Sequence, residues 1–179
     1  MYKGKVLIKE TSFEDLANIM KLWNNGKVMK FVGFPNGLGI TIEELEMWLE
    51  EIIKKPQRCH YSIYAEGIEY CGESFYSVSD ETGLAMLDIK LLPDAQGKGI
   101  AYIGLNYAIE KAFLEGKAKA VYVEPHIDNK MAWKLYHKIG FVSKTRPKFL
   151  EVGDTYLELD YNQWQDYFKT IKSIFLLNK

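Results

Sequence analysis

The sequence predicts a single domain of the α+β (mixed α/β) class, spanning 1–179. A central mixed sheet, mostly antiparallel, should carry helices on both faces. Three observations lead there. Strand-like runs in the middle of the chain are joined by short turns, the pattern of an antiparallel meander. The later part alternates strand and helix, as a crossover between parallel strands does. And 179 residues, 47% of them apolar, suffice for one packed core without disulfide or metal staples.

The elements follow in order. Lys5 to Glu10 alternates and reads as a strand. Ser12 with Asp15 three residues on predicts a helix start and a helix from Phe13 to Asn24. Leu16, Ile19, Met20 and Trp23 give it one apolar face. The glycines, the proline and the phenylalanines of Phe31 to Gly39 predict an irregular aromatic loop. Thr41 and Glu44 form a capping box that opens a second helix to about Lys54, with Leu45, Trp48, Leu49 and Ile52 as its core face. His60 to Ala65 and Glu69 to Ser77 predict a hairpin, and Leu84 to Leu92 a further strand. A glycine-rich turn then enters a helix from Ile100 to Glu115. Ala120 to Val123 reads as a buried strand, and Asn129 to Lys138 as a helix closed by Gly140. Phe141 to Lys144 and Tyr156 to Tyr161 predict strands, and Gln163 to Leu177 a helix.

Composition excludes several functions. The formal net charge is −1, with Lys and Arg balanced by Asp and Glu, so the basic footprint of a nucleic-acid binder is missing. No apolar run approaches the roughly 20 residues of a membrane span, and the start of the chain lacks a signal-peptide pattern. Cys59 and Cys71 make neither a disulfide framework nor a zinc site, so no metal is expected. Free thiols fit a reducing, cytoplasmic setting.

The turn Pro93-Asp94-Ala95-Gln96-Gly97-Lys98-Gly99-Ile100-Ala101 carries the first chemical signal. It joins a strand to a helix whose first amides lack internal partners, which suits an anion such as a pyrophosphate. A dinucleotide fingerprint fails at Tyr102, and a Walker loop fails because Gly99, not Ser or Thr, follows Lys98. Read alone, the turn is equally a plain helix start.

Gln96-Gly97-Lys98-Gly99-Ile100-Ala101 resembles the Q/R-x-x-G-x-G/A segment of the GNAT superfamily of N-acetyltransferases. Downstream, the stretch from Val123 to Phe141, with Pro125, Asn129, Ala132, Tyr136, Lys138 and Gly140, resembles that family's V-x-P-x-N-x-x-A-x-x-x-Y-x-K-x-G-F pattern, with one extra residue before Asn129. The opening third looks most like the branch holding ribosomal-protein N-terminal and small-amine acetyltransferases. The resemblance implies a GNAT-like twisted sheet. It also implies Leu84–Phe141 as an acetyl-CoA-binding core and Tyr2–Lys55 as acceptor-side helices and loop.

It further implies acetyl-CoA as donor, its pyrophosphate on the amides of Gln96 to Ala101 and its pantetheine arm along the strand edge at Leu91 and Leu92. Asn129 would contact that arm, and Tyr136 would sit near the thioester sulfur and protonate it on leaving. Backbone N–H groups around Leu91 could stabilise the oxyanion. An amine of pKa about 10.4 is mostly cationic at pH 7, and freeing its lone pair costs about 4.6 kcal/mol, so a proton acceptor is needed. Glu73 and Asp88 on the central strands are the candidates; each could equally be a solvated strand residue. Phe31 and Phe34 would wall the acceptor site, or simply pack on the sheet. Asn129 could be only a helix cap, Tyr136 only core, and His60 reads as structural.

The function expected is transfer of acetyl from acetyl-CoA to a primary amine, either a small molecule or a protein N-terminus. Exposed sheet edges would also suit a homodimer. The alternatives are a module of the same fold that binds acyl-CoA without turnover, and an unrelated phosphate-ligand protein.

Overall fold

The computed structural model describes residues 2–148, 150 and 155–168. Its strands are β1 (Val6–Glu10), β2 (Arg58–Ala65), β3 (Glu69–Val78), β4 (Leu84–Leu91), β5 (Ala120–Val123), β6 (Val142–Ser143) and β7 (Leu157–Asp160). They form one sheet in the order β1-β2-β3-β4-β5-β7-β6. Every neighbouring pair is antiparallel except β4 and β5, which run parallel. The expected mixed, mostly antiparallel sheet is therefore present.

Helices cover both faces. On one side lie α1 (Leu16–Trp23), the short α2 (Gly26–Met29) and α3 (Ile42–Ile53). Leu16, Ile19 and Leu22 of α1 interlock there with Leu45 and Leu49 of α3 and with Tyr70 of β3. On the other side α4 (Ile100–Leu114) lays Leu105, Ala108, Ile109 and Ala112 against Tyr61, Tyr76 and Leu87 of the sheet. Helix α5 (Lys130–Ile139) joins that core through Tyr136 and Ile139. Residues 161–168 are helical and add Trp164 to it, while the rest of the helix expected to Leu177 lies outside the described residues.

Two departures from the sequence reading shape the site. The first helix is split. Ser12 N–H donates to Asp15 Oδ2 at 2.8 Å, but the opening turn Phe13–Asp15 is a 3-10 helix and the α-helix starts only at Leu16. The Asp15 carboxylate is buried, with Lys9 Nζ at 3.1 Å and the Tyr64 hydroxyl donating to it. That partner set fixes α1 on the sheet.

The stretch after α1 is also less irregular than expected. It holds α2 and a 3-10 turn at Lys30–Val32. It then folds back so that Leu38 N–H donates to Trp23 O at 2.8 Å and the Asn24 side chain pairs with both backbone groups of Ile40, at 2.8 and 2.9 Å. Long-range pairing of this kind leaves no local sequence signal.

The hairpin of β2 and β3 carries a bulge at Cys71, because Ile63 faces Gly72 while Tyr64 faces Tyr70. At Gly72 the backbone has φ +149°, and a Cβ there would stand 2.0 Å from Lys90 O. Only glycine lets β3 approach β4 that closely.

Candidate active site

Strands β4 and β5 pair only over Leu84 to Met86 against Ala120 to Tyr122. From Leu87 onward β4 has no strand partner on that side among the described residues, so its backbone edge is open there. At the end of this edge stands the glycine turn. Gly97 has φ +73° and Gly99 φ +84°, both in the left-handed region. Gly99 is the N-cap of α4 and offers no side chain to its first amides, and nothing lies within 4 Å of where a Gly97 Cβ would project. Bare amides, a dipole end and free space fit a phosphate group. The Lys98 side chain is exposed, whereas Ile100 is fully buried and serves the core.

The open backbone is only in part where the sequence reading put it. Gln96 Nε2 donates to Leu91 O at 2.9 Å. Leu92 N–H donates to Cys71 O at 2.8 Å, and Leu92 O accepts from Ala95 N–H at 3.0 Å. Leu92 and the Leu91 carbonyl are thus committed to shaping the turn, and by strand parity the backbone groups that face the open edge are those of Leu87 and Ile89 and the Leu91 N–H. Asn129 caps α5, accepting from Ala132 N–H at 3.2 Å. The cap geometry also fixes the course of the 125–129 loop.

The face of the sheet beneath α1 and α3 is polar. Register places His60 against Phe75, Ser62 against Glu73, Glu73 against Lys90 and Phe75 against Asp88, so these side chains share one face. Glu73 is 2% exposed. Trp23 Nε1 donates to it, 2.8 Å from each carboxylate oxygen, and Lys90 Nζ lies 3.2 Å from Oε1. His60 Nε2 is 3.1 Å from Oε2, though off the line of a hydrogen bond. Burial would raise the Glu73 pKa, but Lys90, His60 and Trp23 outweigh it and hold it at about 2. Such a carboxylate anchors charges and takes no proton near neutrality.

Lys90 also pairs with Asp88, the more exposed of the two carboxylates at 36%. Although burial opposes its charge, Asp88 and Glu73 push the Lys90 pKa up and keep it an ammonium. His60 is boxed by Trp48, edge-on at 4.9 Å, and by Phe75 at 6.2 Å, and Trp48 packs on Trp23 at 4.8 Å. Its Nδ1 lies 2.7 Å from Thr11 Oγ1.

Tyr136 of α5 is 6% exposed. Burial first, and then the negative Asp88, raise its pKa, with Lys90 opposing. It therefore stays protonated throughout the ordinary pH range. Lys90 thus joins Glu73 and Asp88 in one charged group, and the charges of Asp88 and Lys90 reach Tyr136.

Phe31 and Phe34 separate. The Phe31 ring packs on His126 at 5.6 Å, bridging the acceptor-side segment to the loop after β5, and Lys30 Nζ stands 4.7 Å above it. Phe34 is largely exposed. A cleft of about 640 Å3 lies between residues 25–27 and 35–36 on one side and Leu92 to Asp94 on the other. None of Glu73, Asp88 and Lys90 lines it.

Lys90, His60, Trp23 and Trp48 were not singled out as site residues by sequence. Their signal was strand parity: His60, Glu73, Asp88 and Lys90 fall on one face only once the register is known.

Residues 5–142 match the family model of the acetyltransferase (GNAT) domain. The chain belongs to the GNAT acetyltransferase family. It is an enzyme of the acyltransferase class, an N-acetyltransferase whose donor is acetyl-CoA. Among solved structures, a spermidine N-acetyltransferase from Vibrio cholerae in complex with CoA and spermine superposes with TM-score 0.76 at 20% identity, covering 89% of this chain and 98% of that one. A GNAT-family acetyltransferase from Streptococcus pneumoniae gives 0.70 at 21%, covering 87% and 99%. A domain from Methanocaldococcus jannaschii gives 0.71 at 17%, covering 88% and 99%. No curated protein matches the sequence. Among the described residues of this GNAT enzyme no helix is long and apolar enough to cross a membrane.

Proposed function

We propose that this enzyme acetylates a small primary amine, which enters by the cleft at residues 25–36 and 92–94 and meets the charged face at Asp88. The observation that carries this reading is the meeting of three features at one place: the open edge of β4, the glycine turn at its end, and the Asp88–Lys90–Tyr136 group beside it. The spermine-bound fold neighbour supports an amine acceptor.

Asp88 binds the incoming ammonium and, being partly exposed, passes its proton to solvent. The freed nitrogen lone pair attacks the thioester carbonyl carbon; the C–N bond forms, the C–S bond breaks, and the nitrogen gives up its second proton to become the amide. Tyr136, kept protonated, donates a proton to the departing sulfur, which leaves as the thiol, and the proton released by the nitrogen restores the phenol through solvent. Glu73 holds Lys90 and Trp23 in place. Gln96 to Ala101 hold the pyrophosphate through backbone amides, and the edge groups of Leu87, Ile89 and Leu91 pair with the pantetheine arm.

The test is incubation with acetyl-CoA and a panel of primary amines plus a peptide with a free N-terminus. Free thiol release and acetylated product are measured. Acetylation of small amines is expected. Modification of the peptide alone would overturn the small-amine reading, and absence of any product would overturn the site assignment.

A further inference from the structure

We infer that Lys90 is a built-in counter-cation that limits the acceptor to amines bearing a single positive charge. The inference rests on the acceptor site proposed above. Glu73 and Asp88 share one face of neighbouring strands, and a pair of carboxylates so placed would suit a chain with two ammonium groups. That place is already taken. Lys90 Nζ lies 3.2 Å from Glu73 Oε1 and pairs with Asp88, while its side chain is only 14% exposed.

Two negative charges and one positive leave a local charge of −1, enough for one ammonium. The second carboxylate, Glu73, is beyond reach: it is 2% exposed and roofed by Trp23. A diamine would have to bring its second charge against the fixed ammonium of Lys90. The pair lies on the stretch of β4 that carries the open edge, since β5 pairs only with Leu84 to Met86.

The experiment compares the wild type with Lys90→Met and Lys90→Arg on a monoamine and a diamine of equal chain length. The readouts are kcat and KM for each, and diamine binding by calorimetry in the presence of CoA. In Lys90→Met the diamine-to-monoamine ratio of kcat/KM should rise about tenfold, mainly through KM, as removal of one like charge a few ångströms away implies. Lys90→Arg should keep the wild-type ratio. An unchanged ratio in Lys90→Met overturns the inference. If Lys90→Met fails to fold, the Lys90→Met/Glu73→Gln double variant removes both buried partners and still frees Asp88; there too an unchanged ratio overturns it. If the wild type acetylates no amine, the acceptor-site reading fails, and calorimetry decides on Lys90: equal diamine affinity in wild type and Lys90→Met overturns its role.

Discussion

Replacing Glu73 by glutamine removes the charge on which the polar face is organised, and the effect should depend on pH in a defined way. The glutamine keeps the shape and can still accept from Trp23. It loses the attraction to Lys90 and His60 that holds the carboxyl at about 2 in place of the ordinary 4.5. At about 1.4 kcal/mol per pKa unit, that difference is about 3 kcal/mol of folding stability. The folded-state pKa is the depressed one, so the stabilisation is fully present above 4.5. It is lost as the pH falls from there through 2, below which both states are protonated. Urea unfolding of wild type and Glu73→Gln at pH 7, 4.5, 3 and 2 reads the difference directly. Subtracting the two curves removes the titration of every other carboxylate. The wild type should lead by about 3 kcal/mol at pH 7 and by little at pH 2. A gap that stays constant, or widens in acid, would refute the charged-anchor argument.

Other perturbations probe other parts. Tyr136→Phe removes only the hydroxyl; kcat should fall about 100-fold while the acetyl-CoA KM stays within about twofold, and unchanged turnover would sink the proton-donor role. Gly99→Val places a β-branched residue at φ +84° and in front of the α4 amides. CoA affinity by calorimetry should drop at least about tenfold, and equal affinity would mean the turn does not hold the pyrophosphate. Gly72→Ala would drive a Cβ to 2.0 Å from Lys90 O, a backbone atom that cannot step aside. A loss of about 3 kcal/mol, or roughly 6–12 °C in Tm, is expected, and a Tm within about 2 °C of wild type would contradict the close approach of β3 and β4.

Much of the fold is written locally. Alternation marks β2 to β4, the Thr41–Glu44 box marks the start of α3, and Gly140 marks the end of α5, its φ of +107° being one that glycine adopts freely. Ser12 and Asp15 marked the right place but not the 3-10 opening, because the buried Asp15 is drawn to Lys9 and Tyr64, distant in sequence. The missed α2 depends on Asn24 and Trp23 pairing across to Ile40 and Leu38.

The glycine turn was legible because a turn of this kind before a helix is a contiguous motif. The acceptor side was not, because it is assembled across strands. Glu73 was named as a proton acceptor without sight of Lys90 opposite, and the register that joins them is a property of the folded sheet. Leu91 and Leu92 were assigned to the donor arm before Gln96 and Cys71 were seen to occupy the Leu91 carbonyl and the Leu92 N–H.

The most direct measurement of the central claim is the melting temperature of the enzyme with about 1 mM acetyl-CoA, against ATP and NAD as controls. For a dissociation constant near 10 μM, linkage gives roughly 2.7 kcal/mol of stabilisation. In a chain of this size that raises Tm by roughly 5–11 °C. A rise specific to acetyl-CoA is the predicted result. A rise with ATP or NAD and none with acetyl-CoA would contradict the account at its root.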